Sequence, residues 1–360
     1  KDSDRDTAKF IRISDKKLLE EPDKIRKLVY DDEIDFGGYE ITEIEKSNLQ
    51  AEENWSKYLV DVKKSRKYLE NSSITVRLDE IFEDSIRGRA GNRGGSNAIF
   101  PDTEEFNVEE QFIGGGMKKS NFDRNYILKD EDLEIEPALK PPAKYENSAD
   151  SGLEEQYTDY EGLKNFYENC QEDLGDTWKG AVNDAYNSKE DNFDLAVPRN
   201  LRAKHAVYCN PKRLQSVIST NFFKLKGLKV DDEDHSNGLK CLCGYLMSSF
   251  GQLSFEINSG NQEGTRKLES EDIRSIQTID VRALDSEQIE RIVSAFEELN
   301  ENGTKVRGDE RESPRDELDQ KIAEILFENY ENSFDSPQEL KNEFQQSVRN
   351  LVQERNPDKS

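Results

Sequence analysis

Apolar positions change their period several times along the chain, and each change predicts a change of element. Phe10 to Ile13 reads as a short strand, Lys16 to Tyr30 as an amphipathic helix with Pro22 near its start, and Tyr39 to Ile44 alternates as a strand. Glu52 to Leu69 returns to helical spacing, so the opening is α/β in character. A polar Asn-Ser-Ser cluster at 71–73 marks a first boundary before the strand Ile74 to Leu78. From there to about Leu299 the period is irregular, with short strands between long loops. Leu153, Tyr157, Tyr160, Leu163, Phe166 and Tyr167 recur at helical spacing inside an acidic stretch, predicting two helices with a solvated surface over 144–192. Phe193 to Pro198, Ala206 to Tyr208 and Val217 to Lys226 read as strands. Gly238 to Phe255 reads as one buried helix, apolar almost all round. The strand Ile276 to Val281 follows, then a helix capped by Asp285 and running to Leu299. Beyond a polar break, Asp316 to Tyr330 and Pro337 to Glu354 form two charged helices with one apolar stripe each. Leu318, Ile322, Ile325 and Leu326 make the first stripe, which predicts packing on a neighbour.

Composition first argues against this order and then supports it. Charged residues make up 36%, hydrophobic residues only 33%, and the net charge is −26; such a balance ordinarily belongs to disordered chains. Seventeen Phe, thirteen Tyr and two Trp, placed on the periodic segments, supply the apolar surface that ordering requires. The excess carboxylates are therefore surface, and one hypothesis for them is a salty cytoplasm in which acidic surfaces keep proteins hydrated. Four scattered cysteines are too few for a disulfide scaffold, which predicts buried thiols and a cytoplasmic location. Cys241 and Cys243 have no second pair at metal spacing. No stretch approaches the roughly 20 apolar residues of a membrane span. The chain starts at Lys1 without a Met or a leader, as expected of a piece of a longer polypeptide.

Charge is unevenly distributed. Leu195 to Val230 contains no Asp or Glu while carrying Arg199, Arg202, Lys204, Lys212, Arg213, Lys224, Lys226 and Lys229. A buried strand would exclude bases as well as acids, so this window reads as a surface for a polyanion. Two glycine-rich stretches share the pattern. Arg87 to Asn97 holds Arg87, Arg89 and Arg93, and Gln111 to Phe122 holds Lys118 and Lys119; neither contains an acid. Read as loops, they would let backbone N–H groups approach phosphates while the cations neutralise them. Asn97, Asn200, Asn221, Asn261 and Gln262 are candidates for reading base edges, since carboxamides pair bidentately with adenine. Catalytic signals are missing: no P-loop and no Ser/His/Asp or Cys/His arrangement is evident, and only His205 and His235 are available. Glu263 to Lys267 imitates a metal-nuclease cluster poorly, with the wrong spacing.

From about Val76 onward the chain resembles the C-terminal target-recognition region of gamma-type adenine-N6 DNA methyltransferases, found in type I and fused restriction-modification enzymes. The resemblance is carried by Val76 to Phe100, Ala196 to Asn210, Ser219 to Leu228 and, most specifically, Leu246 to Ile276, where a helix, a Gly/Asn loop, a basic Lys-Leu turn and an Asp-Ile strand entry follow in order. The opening residues, including Ala8 to Ile13 and Ala51 to Leu59 around Trp55, resemble the last strands and exit of the methylase domain. The resemblance implies an α+β fold. It places the end of an α/β methylase domain and linker at 1–70, a recognition domain of mixed short strands and helices at 71–300 with the insertion at 144–192, and a helical tail at 301–360. It implies duplex DNA and a methyltransferase catalytic domain or subunit as partners, with a restriction subunit as a further candidate and no membrane. The family's catalytic loop, two prolines followed at once by an aromatic residue, has no match: Pro141-Pro142 follows Lys140, and Tyr145 comes two places late. The cofactor glycines are also unmatched, so no cofactor is expected in this chain, and S-adenosylmethionine belongs to the rest of the protein or a partner subunit. Arg87, Arg89, Arg93, Lys118, Lys119, Arg199, Arg202, Lys204, Arg266 and Lys267 are the expected phosphate and guanine contacts, with the later lysines and Arg213 as peripheral charge. The alternative is a protein-interaction module that binds no DNA.

Overall fold

The fold is described from a computed structural model, which covers all residues except 1–6, 14, 31–35, 47–61, 88–98, 101–106, 119–124, 135–136, 143–158, 175–176, 189–191, 202–204, 220, 263–264, 303–312, 330–333 and 356–360. At 12, 16, 40, 42, 44–45, 63, 86–87, 134, 171, 173–174, 177–178, 181, 184, 188, 261–262, 313 and 354 the backbone alone is described. The chain divides into two compact units, Lys1–Arg66 and Lys67–Ser360.

In the first unit, β1 (Thr7–Ile13) pairs antiparallel with β2 (Tyr39–Glu45), Phe10 facing Thr42. Lys9 and Glu43 are register partners and form an ion pair at 3.6 Å. The single helix expected between the strands is two pieces. Asp15 accepts the N–H of Lys17 at 3.0 Å and starts a 3-10 turn, Lys16–Glu20, before α1 (Pro22–Tyr30) begins on its proline. Proline at a helix start loses no hydrogen bond but cannot continue one from upstream, which explains the break.

The boundary between the units falls within α2 (Lys63–Asn71), and the second unit continues with β3 (Thr75–Arg77) and β4 (Phe82–Arg87). The glycine run expected as a loop is a strand, β5 (Ile113–Met117), paired with β6 (Pro137–Leu139). A Cβ at Gly114 would overlap the Lys140 side chain, and one at Gly115 would lie 2.6 Å from Leu133 Cβ. Those glycines serve close packing and leave no cradle for a cofactor phosphate. The insertion contributes two helices, α3 (Glu161–Leu174) and α4 (Thr177–Ser188), as expected. Their apolar stripes are not idle: Leu163, Phe166, Tyr167, Val182 and Ala185 are buried in one cluster with Ile99, Phe112, Leu139 and Val217.

The acid-free window supplies β7 (Leu195–Pro198), β8 (Asn200–Leu201), β9 (Tyr208–Cys209), β10 (Val217–Ile218) and β11 (Phe222–Leu228). A single strand from Val217 to Lys226 was expected. The chain instead turns at Ser219–Asn221, and β10 joins β5 in parallel while β11 enters a sheet of order β4-β11-β7-β9. Phe222, Phe223, Lys224 and Leu225 on β11 are all buried, because strands cover both of its edges and side chains both of its faces. Lys224, expected as peripheral charge, is thus an interior residue.

The expected buried helix is likewise two, α5 (His235–Met247) and α6 (Ser249–Asn258). Ser248 is extended (ψ 173°); its hydroxyl accepts from Phe250 N and Gly251 N and donates to Tyr245 O at 2.6 Å, capping one helix as the other ends. Apolar content reported burial correctly but not this break. Next come the hairpin β12 (Gly260–Gln262) and β13 (Thr265–Lys267), the short helix α7 (Ser270–Ser275), and β14 (Gln277–Ile279), which pairs with β3. Asp285 and Gln288 then exchange backbone-to-side-chain hydrogen bonds at 2.9 and 3.2 Å and open α8 (Ser286–Asn302). It crosses α5 where Gly244 meets Ile292 and Phe296.

The tail helices α9 (Ser313–Glu328) and α10 (Pro337–Arg355) fall inside the same compact unit. Leu318, Ile322, Ile325 and Leu326 are fully buried. Asp319 accepts from Ser249 N at 2.7 Å and from its hydroxyl at 2.5 Å, and Phe344 stacks on Phe250 with centroids 4.4 Å apart. All four cysteines are buried and unbridged, and burial pushes the Cys241 thiol well above its ordinary value.

Candidate nucleic-acid interface

The candidate surface is assembled at the junction of three small sheets. β8 pairs with β13, so that Asn200 faces Lys267 and Leu201 faces Arg266. Successive strand residues point to opposite faces, and here the inner face carries Leu201 and Arg266 while Asn200 and Lys267 remain partly exposed. Arg199 links the junction: its N–H donates to Asn221 O at 2.7 Å and its carbonyl accepts from Leu268 N at 2.9 Å. Its guanidinium donates to Leu268 O at 3.3 Å through Nε and to Glu269 Oε1 at 2.7 Å through Nη2. Lys267 Nζ reaches the same carboxylate at 3.1 Å. On the other side, Asn221 Nδ2 and Ser219 Oγ donate to Lys118 O at 2.9 and 2.7 Å. The Lys118 ammonium lies 5.7 Å from the centroid of the Phe100 ring.

Five expected contact residues, Lys118, Arg199, Asn200, Asn221 and Lys267, are thereby brought together from three separated segments. Asn221 spends its amide on the Lys118 carbonyl, so in this state it positions the lysine-bearing turn. Arg87 ends β4 opposite Phe223, and Asn261 and Gln262 lie on β12; their side chains are not described. Arg89, Arg93, Asn97, Lys119, Arg202 and Lys204 lie outside the described residues. Of the peripheral bases, Lys212, Arg213, Lys226 and Lys229 are exposed. Lys229 is tied to Glu80 O at 3.0 Å, and Arg213 pairs with Asp232 at 3.4 Å.

Arg266 departs from expectation. The stretch Asn261 to Leu268, read as a loop, is largely a hairpin, and strand alternation turns Arg266 inward to 1% exposure. Its Nη1 lies 3.0 Å from His205 Nδ1 and 3.4 Å from Glu256 Oε1, and its guanidinium stacks 4.9 Å from the Phe255 centroid. Arg355, near the end of α10, holds the other Glu256 oxygen. Burial lowers the Arg266 pKa to about 10, with Glu256 opposing the shift, so the residue stays charged at neutral pH. It is an interior cation and no longer a candidate contact. His205 Nε2 sits 2.7 Å from Leu246 O, a pure acceptor; that nitrogen therefore carries the proton, and Nδ1 accepts from Arg266.

Sequence reading missed the acids that organise these bases: Glu256, Glu269 and Asp194. Asp194 is buried, accepting Leu228 N–H at 2.9 Å and contacting His235 Nε2 at 2.9 Å. No local signal separates these three carboxylates from the many solvated ones. Among the described residues no His, Cys, Asp and Glu group is arranged to hold a metal ion, and no helix is long and apolar enough to cross a membrane. A cavity of about 630 Å³ between α8 and α9 is lined by Glu287, Glu290, Glu298 and Glu317 beside Arg291 and Lys321, a balance that disfavours a polyanion.

Residues 86–303 match the family model described as the specificity domain of restriction endonuclease BpuSI. The crystal structure of the type IIG restriction endonuclease BpuSI shares the fold, with a TM-score of 0.64 and 18% identity over 99% of this chain. The chain spans 41% of that neighbour's length. No curated protein matches it. Three of the four sequence stretches that carry the resemblance lie inside the matched residues, and the fourth overlaps them. On the family match, the chain belongs to the BpuSI-type restriction endonuclease specificity domains.

Proposed function

We propose that this chain holds duplex DNA in the cytoplasm and selects the sequence presented to an adenine-N6 methyltransferase centre elsewhere in the full protein or on a partner subunit, where S-adenosylmethionine binds. The observation that carries this reading is the junction of Lys118, Arg199, Asn200, Asn221 and Lys267 within a family of specificity domains. Cations cluster there on a chain of net charge −26, next to the partly exposed carboxamide of Asn200, a group of the kind that reads base edges. Residues 1–70 are read as the end of the methylase domain and a linker, and a restriction subunit is a further candidate partner.

The test is duplex binding as a function of salt. Replacing Arg199, Arg202 and Lys204 together by Glu is expected to weaken binding to all duplexes at least ~10-fold and to flatten the plot of log affinity against log salt by about 2 to 3. Wild-type affinity in that variant would overturn the assignment of this surface. Mass-spectrometric detection of N6-methyladenine in DNA treated with the full-length enzyme tests the methylation chemistry, and a product methylated only at cytosine would refute it.

A further inference from the structure

Two of the junction cations converge on a single oxygen. Arg199 Nη2 lies 2.7 Å and Lys267 Nζ 3.1 Å from Glu269 Oε1. These bases come from separate parts of the chain and meet because β8 pairs with β13 and Leu268 N–H binds the Arg199 carbonyl. An anionic oxygen between a guanidinium and an ammonium N–H is the arrangement in which proteins hold a phosphate oxygen. The Glu269 side chain is 52% exposed and that of Arg199 only 16%. The carboxylate therefore occupies the solvent end of the site, where an arriving anion can replace it without opening the core. Partial burial opposes its charge, but the hydrogen bonds from Lys267 and Arg199 outweigh this and hold the carboxyl below its ordinary value. Glu269 is the N-cap of α7: its N–H donates to Asp272 Oδ2 at 2.8 Å and its carbonyl accepts from Ile273 N at 3.2 Å, while its side chain also joins the capping box with the Asp272 backbone. The two backbone bonds remain when the side chain moves.

We propose that Arg199 and Lys267 form a phosphate subsite that Glu269 fills in the free protein, and that a docking DNA backbone displaces Glu269 from it. The proposal rests on the DNA-binding reading above. Any duplex must compete with the internal carboxylate, while a correctly read sequence adds base contacts that outweigh the competition. Glu269 thus lowers affinity for every duplex by the same factor and leaves discrimination between sequences to the base contacts.

The experiment is a double-mutant cycle on the full chain, measuring anisotropy of a labelled random-sequence duplex from about 50 to about 300 mM KCl. Glu269→Gln is expected to bind ~3- to 10-fold more tightly than wild type, with a salt slope steeper by about 1. In a background of Arg199→Met and Lys267→Met, the same change is expected to gain less than ~2-fold. No gain from Glu269→Gln would overturn the proposal. So would an equal gain in both backgrounds, which would mean that removing any negative charge near DNA suffices. Should the Gln variant fail to melt cooperatively, Glu269→Asp, shorter by one methylene, is expected to change affinity in the same direction. If neither wild type nor variant binds duplex, the DNA reading falls and the subsite with it; if both bind alike, only the subsite falls.

Discussion

Arg266 and Lys267 are neighbours with opposite roles, and side-chain direction alone separates them. Arg266 is enclosed between His205, Glu256 and Phe255, whereas Lys267 sits at the rim beside Glu269. Arg266→Met removes the donor to His205 Nδ1 and leaves Glu256 with Arg355 alone. The expected loss is about 1–3 kcal/mol in urea denaturation, the usual cost of leaving a buried acceptor, here His205 Nδ1, without its donor; a loss below about 0.5 kcal/mol would contradict the buried network. Lys267→Met is expected to change stability by less than about 0.5 kcal/mol, because a rim ion pair is solvent-screened. It should nevertheless weaken duplex binding. The sequence shows both residues as bases in one turn. Only the hairpin register, Asn261 to Arg266 and Gln262 to Thr265, says which of them faces inward.

Elements with many turns of consistent spacing were legible, and short ones were not. The helices α8, α9 and α10 follow their apolar stripes closely, because each stripe recurs over several turns and has a single solution. The break between α5 and α6 was illegible because residues 241–255, on both sides of it, are all buried, leaving no polar face there to show a change of axis. Its cause is local: Ser248 caps α6, and Gly251 lies against the backbone of Tyr245 and Leu246. Gly251→Ala is expected to cost more than about 2 kcal/mol in chemical denaturation, since its Cβ would meet backbone that cannot swing aside. Ser248→Ala should cost about 1–2 kcal/mol through loss of the cap. Near-neutral values for both would mean that the break is set elsewhere. The turn separating β10 from β11 interrupts a run otherwise rich in strand formers, and it is held both locally, by the Asn221 N–H on Ser219 Oγ at 3.3 Å, and across the fold, by Ser219 and Asn221 binding Lys118 O.

At the scale of the molecule, 77 acids against 51 bases leave a surface that repels itself. Screening relieves such repulsion, so the melting temperature of the full chain is expected to rise as KCl goes from about 0.05 to about 1 M. A flat profile would remove the case for a salt-adapted surface. The same composition makes the acid-free window from Leu195 to Val230 conspicuous, and residue order alone was enough to identify it, since charge contrast needs no coordinates. Sequence also sufficed for the mixed α+β class, the paired insertion helices, the packed tail stripes and the kinship with specificity domains, because periodicity and motif order survive without knowledge of distance. The use made of the window was decided by the tertiary structure. Pairing of β8 with β13 and of β5 with β10 gathers Lys118, Arg199 and Lys267, buries Arg266, and sets Glu269 between two of the bases that remain, while pairing of β11 with β4 and β7 buries Lys224. Whether a base serves the surface or the core depends on strand register and on partners far away in sequence, and neither is encoded in the residues beside it.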